Sequence, residues 1–369
     1  MNSKELCLSI LDKAGVPINS SETWSFQVHN EKVWDRIISQ HQLGLGEAYM
    51  DGWWDCEQLD IALTKLLSID AVSFLKPSLS LAFNAIKSNL LNMQTKSRAA
   101  QNAKHHYNIG NDLYTRMLDR ELAYSCGYWA SAQTLDQAQE DKFDLICRKL
   151  KLEPGMKLLD IGSGWGGLLR FAVKNYKVIA TGISPADEQI KLAREKSEGL
   201  NINFIQQDYR DLVGKFDRIV SVGMMEHVGP KNYRTYFEKC DELLTDDGIS
   251  LLHTISGNES RAATDPFFNR YIFPGGVIPS LPQLTKAFEN LFVLEDLHNF
   301  GLDYDRTLMH WHKNINSKWH EIPQYDERFQ RMWNFYLLGS AAGFRSRQLQ
   351  LTQFVLRKNG PLDRYVSVR

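Results

Sequence analysis

Cysteine is scarce and unpaired. The five present, Cys7, Cys56, Cys126, Cys147 and Cys240, include no C-x-x-C pair, so neither a disulfide framework nor a zinc or other metal site is expected, and a reducing cytoplasm is the expected compartment. Long apolar runs are missing as well. No stretch approaches the ~20 residues that span a bilayer, and Met1-Asn2-Ser3-Lys4-Glu5 opens an amphipathic segment rather than a secretory leader. The protein is therefore expected to be soluble or to lie on a membrane surface. Neither sign of charge is in excess: 43 Lys and Arg stand against 44 Asp and Glu, for a net charge of −1. Global attraction to nucleic acid is excluded on that ground. No internal repeat is visible, which argues against a solenoid or propeller.

What is present suffices for a full core, with 43% hydrophobic and 24% charged residues in 369. That length suits about two domains, read here as a helical N-terminal domain over residues 1–100 and a larger α/β domain over 101–369. From Lys157 onward, strand and helix patterns alternate: strand Lys157–Ile161, a glycine turn, helix Leu168–Asn175, strand Val178–Ile183, helix Asp187–Glu195, and strand Ile202–Gln206. Strands Asp217–Val222 and Gly248–Ile255 follow. Phe292–Leu297 and Leu349–Leu356 are late strands enclosing a helix around Arg328–Leu338. The alternation predicts parallel βαβ units in a doubly wound sheet, seven-stranded and mostly parallel, closed by a late antiparallel strand.

Before residue 101 the apolar spacing is helical, with Leu79, Phe83, Ile86, Leu90 and Met93 on one face. A core-facing stripe is one reading. The other starts from charge: between Ala71 and Asn111 there is no Asp or Glu, while Lys76, Lys87, Lys96, Arg98 and Lys104 are all positive. A basic, amphipathic segment in a neutral protein suits an anionic membrane surface.

The strongest local motif is Leu158-Leu159-Asp160-Ile161-Gly162-Ser163-Gly164-Trp165-Gly166-Gly167. Small residues at the end of a first strand let the chain turn tightly and let a ligand approach the main chain. The glycine spacing alone also permits a dinucleotide. Asp160 decides against one, because a carboxylate there repels a diphosphate but accepts from an ammonium group. With the late strands, this resembles a Rossmann-like S-adenosylmethionine-dependent methyltransferase. In that fold Ser184 and Gln189, after the second strand, border the ribose, and Asp208, Tyr209 and Arg210, after the third, border the adenine.

Two ionisable residues lie past neighbouring strands, Glu226 beyond Val222 and His253 at the end of the following strand. If those strands are adjacent, both reach one point in the crevice beyond the strand ends, where open α/β sheets bind ligands. Buried among apolar residues, an acid and an imidazole require a shared polar partner. Upstream, His105-His106-Tyr107, Gly110-Asn111-Asp112 and Tyr124-Ser125-Cys126 gather aromatics, a hydroxyl and a thiol that could cover a sulfonium.

Together these motifs, with Gly44-Leu45-Gly46-Glu47-Ala48-Tyr49-Met50-Asp51-Gly52-Trp53-Trp54, Tyr124-Ser125-Cys126-Gly127-Tyr128-Trp129, Glu226-His227-Val228-Gly229-Pro230-Lys231-Asn232-Tyr233 and Tyr271-Ile272-Phe273-Pro274, resemble the bacterial cyclopropane-fatty-acyl-phospholipid synthases from about residue 30 to about 357. The resemblance implies methylene transfer from S-adenosylmethionine to the cis double bond of an acyl chain in a phospholipid bilayer. It also implies a bound bicarbonate as base, with Cys126, Glu226, His253, Ile255 (through its backbone) and Tyr304 as its ligands. For the cofactor it implies Tyr124, Ser125, Asp160, Gly162, Gly164, Ser184, Gln189, Tyr209 and Arg210. A homodimer at the inner face of the cell membrane is implied too. The apolar stretch from Phe267 to Ser280 is expected to act as an acyl-chain lid, a core loop being the alternative. Three departures from the usual pattern, Asn108, Ser163 and Ser340-Ala341, leave the anion ligands untouched. Methyl transfer without ring closure, a membrane-binding protein without turnover, and a nicotinamide oxidoreductase remain the rival readings.

Overall fold

The structure is a computed structural model that describes residues 1–69, 71, 94, 110–358, 360 and 363–369. The apolar stripe from Leu79 to Met93, the five basic residues of that region, and His105, His106, Tyr107 and Asn108 lie outside the described residues. The chain forms two compact units. One comprises Met1–Leu91, Ala262–Pro274 and Tyr304–Leu349, and the other Asn92–Arg261, Gly275–Asp303 and Gln350–Arg369.

Among its described residues the first unit is helical apart from two short strands, β1 (Gln27–Val28) and β2 (Trp54–Asp55), which pair antiparallel. Its first helix, Ser3–Ala14, starts where Asn2 and Glu5 satisfy each other's backbone N–H groups. Trp54, almost wholly buried, stacks on Phe26 with ring centroids 4.2 Å apart. The helix Glu327–Arg345 belongs to this unit although it arises late in the chain. Arg331 donates to Tyr49 O at 2.6 Å and to the Asp55 carboxylate at 2.6 Å, and Arg345 pairs with both Asp60 and Asp305. Residues 262–274 and 304–349 therefore cluster with the N-terminal residues, so the partition differs from the expected boundary at residue 100. The cause is non-local: an amphipathic helix buries its apolar stripe wherever a complementary face exists. Phe267, at the start of the expected lid, is fully buried beside Phe335, and a Cβ at Gly46 would collide with its ring. This residue is core.

The second unit holds the seven-stranded sheet. Its strands are β3 (Lys157–Ile161), β4 (Ile179–Ser184), β5 (Ile202–Gln206), β6 (Phe216–Val222), β7 (Leu244–Gly257), β8 (Phe292–Asn299) and β9 (Leu349–Lys358), in the order β5-β4-β3-β6-β7-β9-β8. β3 to β7 pair in parallel, and β8 pairs antiparallel with β9. The expected strands are all present; β7 is longer than expected at both ends, and β8 and β9 are joined through two long helices rather than a tight turn. β3 reads Lys-Leu-Leu-Asp-Ile with only Lys157 exposed, as befits a strand covered by helices on both faces. The strand order reverses between β3 and β6, so the crevice beyond their carboxyl ends is the position at which such sheets take ligands.

Candidate active site

Both walls of that crevice carry buried polar groups. Asp160 sits on β3 opposite Gly182 of β4 and Val220 of β6. It is 3% exposed, and its Oδ1 has no hydrogen-bond partner among the described residues. Burial pushes its carboxyl up to about 7, against the opposing pull of the Lys142 ammonium. A buried acceptor left open in this way is costly unless a ligand's donor meets it.

The glycine turn follows. Gly162 and Ser163 donate their N–H groups to Ile183 O at 2.9 and 3.0 Å, which stitches the turn to β4. Gly162, Gly164 and Gly166 have φ of 91°, 53° and 79°, a region that side-chain-bearing residues rarely adopt. Their surroundings differ. A Cβ at Gly166 would lie 2.5 Å from the Phe204 ring, whereas one at Gly164 would meet nothing within 4 Å. Gly166 is thus needed for packing, and Gly164 leaves main chain open to a ligand.

The residues expected to border the nucleoside are engaged with one another. Ser184 and Gln189 are buried and hydrogen-bonded at 3.3 Å. Arg210 grips Asp208 with Nε at 2.8 Å and Nη2 at 2.6 Å, so the acid is already charge-compensated. Tyr209 packs edge-on against Tyr236 at 5.6 Å. Ahead of the sheet, Asp119 accepts from the N–H groups of Glu121 and Ala123 and shapes the turn into Tyr124-Ser125-Cys126. Tyr124 meets Tyr114, which also contacts Trp165 of the glycine turn. Cys126 is fully buried, its thiol donating to Gly127 O at 3.1 Å.

The expected adjacency of the two strand ends is present. Val222 of β6 is level with His253 of β7, and Gly223 donates to His253 O at 2.9 Å. Glu226 Oε1 accepts from Ile255 N–H at 2.7 Å. The acid is therefore tied to β7 at a residue two beyond His253, about 7 Å along the strand. Glu226 Oε2 has no hydrogen-bond partner among the described residues, and burial raises its carboxyl to about 7, opposed chiefly by the Ile255 N–H. His253 is 1% exposed, with Nε2 lacking a partner among the described residues and Nδ1 3.2 Å from Gln353 Nε2 of β9. That amide donates to Nδ1, which leaves the proton on Nε2. Burial, reinforced by Lys142, Lys149 and His298, holds the imidazole far below its ordinary pKa and hence neutral. The crevice thus presents an open acceptor at Asp160, an open carboxylate oxygen at Glu226 and an open donor at His253. Tyr304 belongs to the other unit, where its ring meets Phe344 at 4.6 Å.

Three residues absent from the sequence reading support this set. Gln353 fixes the histidine tautomer. Gln139 and Lys142, on the helix Leu135–Lys149, hold Ser125, with Lys142 Nζ donating to its Oγ at 2.8 Å. They lie three residues apart on a face that also buries Ala138, Phe143 and Ile146, a face that only the docked helix reveals.

Comparison with known proteins identifies the family. A family model described as mycolic acid cyclopropane synthetase matches residues 94–354. The cyclopropane-fatty-acyl-phospholipid synthase of Escherichia coli K12 is 47% identical over 350 residues, 95% of this chain and 92% of its own. Among solved structures, the cyclopropane synthase MmaA2 from Mycobacterium tuberculosis is 28% identical with a TM-score of 0.67, covering 73% of this chain and all of its own. The mycolic acid cyclopropane synthase CmaA1, solved with S-adenosylhomocysteine and CTAB, is 30% identical with a TM-score of 0.66, over 70% of this chain and 98% of its own. On these matches the chain is an S-adenosylmethionine-dependent methyltransferase and belongs to the mycolic acid cyclopropane synthetase family.

Proposed function

We propose that this enzyme transfers a methylene group from S-adenosylmethionine to the cis double bond of unsaturated acyl chains in membrane phospholipids, closing a cyclopropane ring. The observation that carries the reading is Glu226: one oxygen is anchored on Ile255 N–H, two residues beyond a neutral His253, at 2.7 Å, and the other is buried with no partner among the described residues. An alkene is a weak nucleophile, so ring closure requires that a proton leave the transferred carbon within a site closed to water. When bound, S-adenosylmethionine supplies the electrophilic methyl group and bicarbonate the base.

The residues present fit both. Asp160 Oδ1 is an acceptor for the cofactor's ammonium, and Gly162 and Gly164 give access to main chain. For a small anion that carries a hydroxyl, Glu226 Oε2 is an acceptor and His253 Nε2–H a donor. Cys126 and Tyr304 complete the proposed ligand set. Ile255, proposed to act through its backbone, has its N–H engaged by Glu226, which leaves its carbonyl as the group for the anion. Tyr124, Ser125, Ser184, Gln189, Asp208, Tyr209 and Arg210 form the rest of the proposed cofactor site.

No described helix is long and apolar enough to cross a membrane. The proposal places the enzyme peripherally on the inner face of the membrane, held by the N-terminal region through Lys76, Lys87, Lys96, Arg98 and Lys104, and as a homodimer. The test is incubation with monounsaturated phospholipid vesicles and labelled S-adenosylmethionine, followed by mass and NMR analysis of the acyl chains. The expected product gains CH2 and loses its olefinic signals. A methyl-branched chain that keeps unsaturation would instead establish transfer without ring closure.

A further inference from the structure

Lys142 lies within the second unit and takes no part in the chemistry above. It is 1% exposed. No carboxylate lies within ion-pair distance of its Nζ among the described residues, although a buried ammonium ordinarily requires a counter-charge. Its hydrogens go instead to Ser125 Oγ at 2.8 Å and Gln139 Oε1 at 2.5 Å. Gln139 in turn donates from Nε2 to the backbone oxygens of Ser125 at 2.9 Å and Ala123 at 3.4 Å. One helix thus grips Ser125 at both its carbonyl and its hydroxyl.

This grip sets the polarity of the hydroxyl. Because Ser125 Oγ accepts from a cation, its own hydrogen is turned away from Nζ, and no described residue accepts it. A hydroxyl held in this way acts as a donor and recognises an acceptor. Across the same cluster, Asp160 has an acceptor oxygen without a partner, and Lys142 interacts electrostatically with it. An open acceptor and an oriented donor form a complementary pair, suited to a zwitterion whose ammonium meets the acid and whose carboxylate meets the hydroxyl.

We infer that Lys142 is a positioning residue that fixes Ser125 as hydrogen-bond donor to the carboxylate of the cofactor's amino-acid end, and so selects adenosyl ligands that carry that carboxylate. The inference rests on the assignment of the crevice to S-adenosylmethionine.

The test is calorimetric binding of two ligands to the full chain: S-adenosylhomocysteine, and its decarboxylated analogue 5′-(3-aminopropylthio)-5′-deoxyadenosine. A hydrogen bond to a charged group corresponds to about tenfold or more in affinity. The wild-type protein is therefore expected to prefer the carboxylate-bearing ligand by at least about that factor. In Lys142→Met the preference collapses to within about threefold, while any weakening of the ammonium contact at Asp160 lowers both affinities alike and leaves their ratio unchanged. Ser125→Ala gives the same collapse with Lys142 intact, and the double variant loses nothing further. A preserved ratio in Ser125→Ala or in Lys142→Met overturns the inference, and so does additive loss in the double variant, which would mean that Lys142 touches the carboxylate itself. Failure of the wild-type protein to bind either ligand would overturn the cofactor assignment, and this inference with it.

Discussion

Replacing Glu226 by Gln separates the chemistry of the site from the stability of the fold. In the folded protein burial raises the carboxyl from its ordinary value of 4.5 to about 7. Between those two pH values the native state holds a proton that the unfolded chain has lost, so stability falls as pH rises through this window and levels off above it. The difference corresponds to about 3 kcal/mol at pH 8. Gln cannot ionise, and its amide oxygen can still accept from Ile255 N–H. The Glu226→Gln protein should therefore melt higher than wild type at pH 8, by roughly 6–12 °C at about 2–4 °C per kcal/mol, and at the same temperature as wild type at pH 4.5. Binding of S-adenosylhomocysteine should be nearly unchanged, while turnover on phospholipid vesicles falls about tenfold or more for want of a proton-accepting group. Calorimetric melting at the two pH values and the acyl-chain assay provide the readouts. Unchanged turnover would show that Glu226 takes no part in the chemistry, and a melting shift equal at both pH values would show that its buried carboxyl does not titrate in this window.

Asp160, raised to about 7 by burial, must be ionised to meet an ammonium, so affinity for S-adenosylhomocysteine should drop as pH falls below 7, and Asp160→Asn should abolish that dependence in calorimetric titrations. Gly166→Ala, with φ at 79° and a Cβ contact of 2.5 Å on Phe204, should lower stability by roughly 2–3 kcal/mol in denaturant melts. Gly164→Ala, which meets nothing within 4 Å, should lower it by only about 1 kcal/mol yet weaken cofactor binding more than Gly166→Ala does. Nitrogen NMR of His253 should show a neutral ring protonated on Nε2 at pH 6.5; a protonated ring there would contradict its burial. Charge reversal at Lys96 and Arg98 should weaken binding to anionic vesicles more at low salt than at high salt, and a salt-independent loss in a flotation assay would count against the membrane proposal.

Much of the sheet was legible because its strands are buried apolar runs with clear punctuation. β3 and β5 begin and end where their sequences predict, and the pairing of Val222 with His253 follows from two such runs lying side by side. Glu226 and His253 could be found because ionisable residues at the ends of apolar strands stand out. Lys142 and Gln139 could not, since Gln139-Glu140-Asp141-Lys142 reads as a solvated helix face until the helix is docked and its orientation known. The Asp208 carboxylate reads as an open acceptor in isolation, and only the fold of the loop shows Arg210 closing on it. The affiliation of residues 304–349 with the N-terminal helices depends on side chains such as Arg331 and Arg345 finding partners far away in sequence, which local pattern does not encode.

That affiliation has a consequence for biogenesis. The first unit is assembled from three separated stretches, the last ending at Leu349, so its opening helices leave the ribosome long before the helix that covers them has been made. At about 5–20 residues per second, they wait for a time on the order of half a minute with an apolar face uncovered, while the intervening sheet can already form. A nascent chain stalled short of that last helix should be the species that a chaperone engages and that self-associates if none does.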